Sequence, residues 1–191
     1  WYPSWSYAQY GYLLSTLRVV GDFNTDEPFM EFYDSLETNS IKGNLYMPVF
    51  GSMTSNSEFE FLTGNSIAFT PSGSVPYQIY MRNPSYGLAS ILKEQGYRTV
   101  AMHPNEKTNW NRDEAYRNML FDEFYGIEYF QDSPTIRGYV SDLGNYQKII
   151  NLTEEKEEGQ PLFIFDVTMQ NHGGYETDYE AAVHLTDYQN M

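Results

Sequence analysis

The sequence predicts an α/β domain in which helices flank a largely parallel central sheet. Two stretches of apolar residues at helical spacing are each followed by a short apolar run that has the length of a strand. Parallel strands need a crossover between them, and a helix usually supplies it. The alternation of helix and strand along the chain therefore favours this fold class.

Each helix-to-strand unit has recognisable limits. In the first, residues 85–95 carry the helical pattern, Gly96 supplies a C-terminal cap, and residues 97–102 are predicted to form a strand. In the second, residues 139–152 carry the helical pattern and residues 161–169 form a strand of the buried type. These two units fix the predicted sheet.

The chain before the first unit is less regular. Residues 1–16 are rich in Trp and Tyr and are predicted to be a separate N-terminal segment, so that the domain itself spans 17–191. Within it, residues 17–32 suggest a strand and a loop, and 45–50 form a short apolar run before a turn of small residues.

The composition describes a globular, acidic protein. Of 191 residues 41% are hydrophobic, and the formal net charge at pH 7 is −15. That charge repels the phosphate backbone and argues against nucleic-acid binding. The chain has no cysteine, which excludes thiolate metal sites and a cysteine nucleophile. No apolar run reaches the roughly 18 residues of a membrane span, so we expect this chain to be soluble.

Two histidines stand at the ends of predicted strands. His103 follows the first strand directly, and His172 comes shortly after the second. A lone histidine is more often structural, but in open α/β sheets ligands bind beyond the carboxyl ends of the strands, so this shared placement makes a functional role as well supported as a structural one.

The segment 51–59 is predicted to be a turn that leads into a helix. There the Thr54 hydroxyl would lie at the positive end of a helix dipole, where an anionic ester is stabilised and a hydroxyl bound to a divalent cation can attack it. The alternative is a purely structural role as the N-terminal cap of the helix, since Glu58 stands where a capping box would place it for Ser55.

A polar loop is predicted at 107–117. Its Arg112 could hold a phosphate with two parallel hydrogen bonds, and the flat ring of Trp110 could pack against glycerol or a sugar. A surface loop whose Trp covers the core explains the same residues equally well.

Three motifs together resemble a known family. They are Gly-x-x-Thr-Ser-Asn-x-Glu-Phe at 51–59, Met-His-x6-Trp-Asn-Arg-Asp at 102–113, and Gln-Asn-His at 170–172. In this order they resemble the extracellular domain of lipoteichoic acid synthases and related sulfatase-fold phosphoglycerol transferases. The resemblance runs from about residue 17 to the C-terminus.

The resemblance implies an alkaline phosphatase/sulfatase-like fold and a membrane-anchored parent protein that faces outward. It implies a Mn²⁺ or Mg²⁺ site in which Thr54 is both ligand and nucleophile. Phosphatidylglycerol would donate glycerol phosphate to Thr54, diacylglycerol would leave, and a hydroxyl of the growing polymer would take the phosphate. The glycerol phosphate would be held by His103, Trp110, Arg112 and His172.

The chain also departs from the family pattern. Residues 12–16 stand where family members carry a metal-binding Glu, and no Asp-His metal pair occurs before Met191, so Thr54 alone remains of the expected ligands. A family acidic position falls on Asn105. We therefore expect a partial domain whose shortened sheet exposes an edge that a second copy could cover.

Two alternative functions stay open. The chain could be a catalytically inactive module that binds glycerol-phosphate polymer without metal, or another sulfatase-fold hydrolase or phosphoethanolamine transferase. A true sulfatase needs a Cys/Ser-x-Pro-x-Arg motif, which this sequence lacks.

Overall fold

The computed structural model describes Ser35, Glu37, Thr38 and residues 53–173. The chain divides into two compact units, one made of 47–170 and the other of 1–46 with 171–191. The helices and strands given below all belong to the unit 47–170. The predicted segment 1–16, the strand and loop at 17–32 and the run 45–50 lie outside the described residues, and the boundary at residue 17 stays a prediction.

Helices and strands alternate through the unit 47–170. The helices are α1 (Thr54–Thr63), α2 (Pro76–Ile79), α3 (Leu88–Glu94), α4 (Arg112–Asn118) and α5 (Asp142–Glu155), with short 3-10 turns at Ile67–Phe69, Asn109–Asn111 and Ile127–Phe130. The strands are β1 (Arg98–Met102), β2 (Glu123–Tyr125), β3 (Thr135–Ile136), β4 (Tyr139–Val140) and β5 (Leu162–Asp166).

The described strands confirm the predicted parallel sheet. They are ordered β2-β1-β5, and β1 pairs in parallel with both neighbours. Ala101 at the centre lies opposite Phe124 on one side and Phe165 on the other. The short strands β3 and β4 form a separate antiparallel hairpin.

Both predicted helix-to-strand units are present, with shorter bounds for the first helix, Leu88–Glu94, and for the second strand, Leu162–Asp166. α3 ends before Gly96, which takes a left-handed φ of 86° that glycine adopts at little cost. The second helix starts at Asp142 rather than at residue 139, because Ser141 is its N-cap and accepts a hydrogen bond of 3.1 Å from the Gly144 N–H. Residues 139 and 140 belong to β4 instead.

The core lies on both faces of the sheet. Since side chains alternate along a strand, Ala101 faces one cluster while Val100 and Met102 face the other. On the first face, residues of α1 to α4, among them Tyr116, pack against the sheet. On the second face, Leu152 of α5 packs against it. The result is a helix–sheet–helix arrangement that carries the carboxyl ends of the strands to one edge.

No helix in the described part of the chain is both long and apolar enough to cross a bilayer.

A carboxylate of high pKa lies at the end of β5. Burial raises the pKa of Asp166 to about 7; the hydrogen bond from Asn145 on α5 opposes this rise, and the nearby Asp142 adds to it. The ordinary pKa of an aspartate is about 3.9. Folding is therefore favoured with this group protonated, and stability is lost as the pH rises from about 4 through 7.

We expect Asp166→Asn to raise the thermal midpoint at pH 8 by several degrees and to change it little at pH 4. Each unit of difference between the folded and unfolded pKa of Asp166 changes the free energy of unfolding by about 1.4 kcal/mol. The asparagine amide has the same shape as the carboxyl group but carries no charge, so it avoids this loss of stability at high pH. Melting curves from pH 4 to 8 measure the effect. Asp132→Asn is the control, and a gain in stability that does not grow with pH would contradict the assignment.

Candidate functional site

Thr54 lies in the first turn of α1 and is 8% exposed. The N-cap of this helix is Met53, whose side chain makes no capping hydrogen bond. The N–H groups of this turn and the positive end of the helix dipole therefore act beside the Thr54 hydroxyl. A hydroxyl in this position is close to where an anion would be stabilised.

The alternative of a capping box at Ser55 and Glu58 is wrong. Ser55 is a helical residue rather than the cap, its side chain is fully buried, and its hydroxyl has no hydrogen-bond partner among the described residues. Glu58 points to Arg112 instead of back to the helix start. The buried polar first turn thus has no capping role, and a buried polar turn without one is typical of a functional segment.

Asn56 fixes this turn to the next segment of chain. Its Nδ2 donates a hydrogen bond of 3.1 Å to the carbonyl of Ser74. Its backbone N–H donates to the carbonyl of Met53 at 3.0 Å, which closes the first turn. The position of Thr54 is therefore held from both sides.

His103 is buried directly after β1, as predicted. Its backbone N–H donates to the Tyr125 carbonyl at 2.9 Å, and its Nδ1 lies 2.7 Å from the Val167 carbonyl. Since a carbonyl only accepts, Nδ1 carries the hydrogen and donates it to Val167. The ring is thereby fixed at the ends of three adjacent strands.

The segment after His103 is more ordered than predicted. The expected polar loop 107–117 is wrong over most of its length, because Asn109–Asn111 form a 3-10 turn and Arg112–Asn118 form α4. Apolar Ala115, Tyr116 and Met119 recur at helical spacing and fall in the core cluster, a pattern that the charged residues between them obscured.

Trp110 sits in an unusual backbone conformation. Trp110 and Asn111 both have a positive backbone φ, 58° and 63° respectively. Residues other than glycine rarely adopt such values. Asn111 compensates with hydrogen bonds from its Nδ2 to the Tyr77 carbonyl at 3.2 Å and to Glu114 Oε2 at 2.8 Å. Trp110 is half-buried against the core cluster. Strained backbone held by its surroundings often marks a functional position.

Arg112 is engaged by a carboxylate rather than exposed. It is 2% exposed, and its Nε and Nη2 donate to the two oxygens of Glu58 at 3.1 and 2.6 Å. The pKa of Glu58 is lowered; burial would raise it, but the charge and hydrogen bonds of Arg112 outweigh burial. Burial would lower the pKa of Arg112, but the charge of Glu58, the hydrogen bonds to it and the nearby tyrosines together raise it.

His172 belongs to the unit of 1–46 and 171–191, whereas Thr54, His103, Trp110 and Arg112 belong to the unit 47–170. Within its own unit, the Nδ1 of His172 lies 3.2 Å from the Gly173 carbonyl. The structure brings α1 and α4 together through Glu58 and Arg112, and His103 is near enough for its charge to act on Glu58.

A divalent cation needs several oxygen or nitrogen ligands that converge on one point. No group of three or more His, Asp or Glu side chains in 53–173 could hold a metal ion. Thr54 offers a single hydroxyl, and a hard cation needs several oxygen ligands. The described part of the chain therefore does not fit a metal by itself.

Glu58 and Tyr116 are the residues that sequence reasoning missed. Glu58 is 1% exposed and Tyr116 is fully buried. The signal that could have revealed Glu58 is its place four residues after Thr54 on the same helix face, directly before Phe59, which is also buried.

Comparisons with known proteins bear on these features. The sulfatase family model matches residues 22–190. The chain is 43% identical over 136 residues to a putative cyclic beta-1,2-glucan modification protein of Rhizobium meliloti, covering 71% of this chain and 21% of that protein. It is 31% identical over 163 residues to a lipoteichoic acid synthase of Staphylococcus saprophyticus, covering 82% of this chain and 24% of that protein.

A solved structure shows the same fold. The phosphoglycerol transferase GacH of Streptococcus pyogenes, in complex with sn-glycerol-1-phosphate, matches with a TM-score of 0.71 at 24% identity, over 85% of this chain and 43% of that chain. The predicted alkaline phosphatase/sulfatase-like fold is thus confirmed. The chain spans about a fifth to a quarter of the length of the curated relatives named above.

Proposed function

This chain belongs to the sulfatase family, and on that premise we propose that it transfers glycerol phosphate from phosphatidylglycerol to a cell-envelope polymer. The observation that carries the proposal is the buried Thr54 in the first turn of α1, which Glu58 and Arg112 join to the segment of His103 and Trp110. Similarity to lipoteichoic acid synthase and to the fold of GacH supports the same reaction class.

In the proposed first step, the Thr54 oxygen attacks the phosphorus of phosphatidylglycerol. A bond forms between phosphorus and Thr54, the bond from phosphorus to the diacylglycerol oxygen breaks, and the Thr54 proton passes to that leaving oxygen. In the second step, a polymer hydroxyl attacks the same phosphorus, the bond to Thr54 breaks, and the proton of that hydroxyl returns to Thr54.

The other site residues would hold the glycerol phosphate. The imidazole of His103, held in place by its contact with the Val167 carbonyl, would lie beside a phosphate oxygen. Trp110 would pack against the glycerol and Arg112 would supply positive charge, while a role of His172 in holding glycerol phosphate stays a prediction. Donors aimed at the phosphoryl oxygens stabilise the charge that develops there.

A divalent cation, Mn²⁺ or Mg²⁺, belongs to the proposal because members of the sulfatase fold are generally metal-dependent. Among the described residues only Thr54 would bind it. The protein would act at the outer face of the cell membrane, where its lipid donor and polymer acceptor meet.

A second acceptor is favoured by one observation. Identity to the cyclic beta-1,2-glucan modification protein is 43%, against 31% for the lipoteichoic acid synthase. We therefore propose a glucan hydroxyl as the alternative acceptor in the second step. Transfer of labelled glycerol phosphate to cyclic glucan or to glycerol-phosphate polymer, measured side by side, decides between the two.

The test of the function is release of diacylglycerol from phosphatidylglycerol vesicles by the full-length protein, with Mn²⁺ and with a chelator. We expect release only with the cation. Release from phosphatidylethanolamine instead would favour a phosphoethanolamine transferase. Binding of glycerol-phosphate polymer without release and without a metal requirement would establish the binding module in its place.

A further inference from the structure

A buried charge network lies beneath the first turns of α1. Both oxygens of Glu58 are in use: Oε1 accepts from Arg112 Nη2 at 2.6 Å, and Oε2 accepts from Arg112 Nε at 3.1 Å and from the Tyr116 hydroxyl at 2.7 Å. Two donors from Arg112 in parallel fix the plane of its guanidinium relative to the carboxylate. The third donor, from Tyr116, fixes the carboxylate itself.

The network connects the two segments of the candidate site. Glu58 is four residues after Thr54, so both side chains lie on one face of α1. Arg112 follows Trp110 and Asn111 and begins α4. A change in the Glu58 carboxylate would therefore displace the Thr54 turn relative to the Trp110 segment.

Tyr116 has little freedom to move. Its ring makes edge contacts with four aromatic rings, at centroid distances of 5.9, 5.4, 4.8 and 6.3 Å, from Tyr77, Phe121, Phe124 and Phe165. Aromatic pairs at such distances and angles are favourable and specific in geometry. The hydroxyl of Tyr116 is thereby held against Glu58 by the core on which the sheet is built.

Stability alone does not require this arrangement. A buried ion pair loses the hydration of two charges, and well-packed apolar side chains of similar volume are often as stable or more stable. The ion pair holds the Arg112 guanidinium in a fixed position next to the segment that carries His103 and Trp110. Nη1 of Arg112 is directed to that segment, 3.4 Å from the Asn109 carbonyl.

We propose that Glu58 and Tyr116 are positioning residues, which hold Arg112 and align the Thr54 turn with the phosphate-binding segment 103–112. This inference rests on the proposed function, because it assigns the two residues to the same site. Neither residue touches the ligand. They set the positions of the side chains that contact the ligand. Small displacements of those side chains would slow the transfer reaction.

The decisive variant is Tyr116→Phe, which removes one hydroxyl and keeps the ring. The matched control is Phe121→Leu, which perturbs the same aromatic cluster without touching Glu58. Affinity for sn-glycerol-1-phosphate is measured by calorimetry on the full-length protein, well below the thermal midpoint of each variant. Glu58→Gln is measured beside them.

We expect Tyr116→Phe to weaken sn-glycerol-1-phosphate binding roughly threefold to tenfold, because Glu58 loses the hydrogen bond that fixes its carboxylate and Arg112 is then less precisely placed. Phe121→Leu should lower the thermal midpoint at least as much and leave binding unchanged. Equal effects of the two variants on binding would overturn the proposal, and so would unchanged binding in Tyr116→Phe. If the unaltered protein itself does not bind sn-glycerol-1-phosphate, the proposed function fails instead.

Discussion

Thr54→Ala is expected to lower the rate of diacylglycerol release by on the order of 10³-fold or more, because loss of a nucleophile removes the covalent route altogether. The fold should survive, since the change deletes a hydroxyl and a methyl group at one helix end. We expect the thermal midpoint to fall by only a few degrees. Release is followed with labelled phosphatidylglycerol in vesicles.

Thr63→Ala is the matched control at the other end of the same helix. Its hydroxyl donates to the Phe59 carbonyl at 2.7 Å, so the variant also loses a threonine hydroxyl but keeps the candidate site. Thr54→Ser should retain part of the rate because it keeps an attacking oxygen. Full activity in Thr54→Ala would remove the covalent mechanism.

Arg112→Met is expected to destabilise the protein by about 3–5 kcal/mol at pH 7, because it leaves the charge of Glu58 buried without its partner. In the unaltered protein the pKa of Glu58 is lowered, so its stabilising effect is present above its unfolded pKa of about 4.3 and is lost as the pH falls through the lower, folded value. In the variant, burial remains and the opposing charge is gone, so ionisation of Glu58 disfavours folding.

The stability difference between Arg112→Met and the unaltered protein should thus be largest near pH 7 and smallest below pH 4. Urea unfolding at both pH values measures it. Arg82→Met is the control, since its pair with Glu114 has side chains 55% and 27% exposed, and such pairs contribute about 1 kcal/mol or less. A difference for Arg112→Met that is equally small, or that does not depend on pH, would contradict the assigned ion pair.

The sheet could be predicted from sequence because its signals are local. The helical spacing before Gly96 and the apolar runs at 97–102 and 161–169 each lie within a few turns of chain, and the structure places α3, β1 and β5 there. β2 was missed because Glu123–Tyr125 is only three residues long and follows a helix rich in charged residues. So short a segment has no period of its own to detect.

A residue of the candidate site could be predicted only where its own neighbours in sequence determine its place in the fold. His103 could be placed at a strand end, and Thr54 at a helix start, from their neighbours in sequence. The pairing of Glu58 with Arg112 joins residues 54 positions apart, and no local pattern encodes such a contact. This is also why Glu58 resembled a capping residue and Arg112 resembled an exposed phosphate ligand in the sequence.

The most direct measurement is to trap the covalent intermediate on the protein. The full-length protein is incubated with phosphatidylglycerol and Mn²⁺ without an acceptor, quenched in acid, digested and analysed by mass spectrometry. We expect one added phosphoglycerol group, located on Thr54 and absent from Thr54→Ala. Diacylglycerol release without any adduct, or an adduct on Ser55 or Ser57, would contradict it.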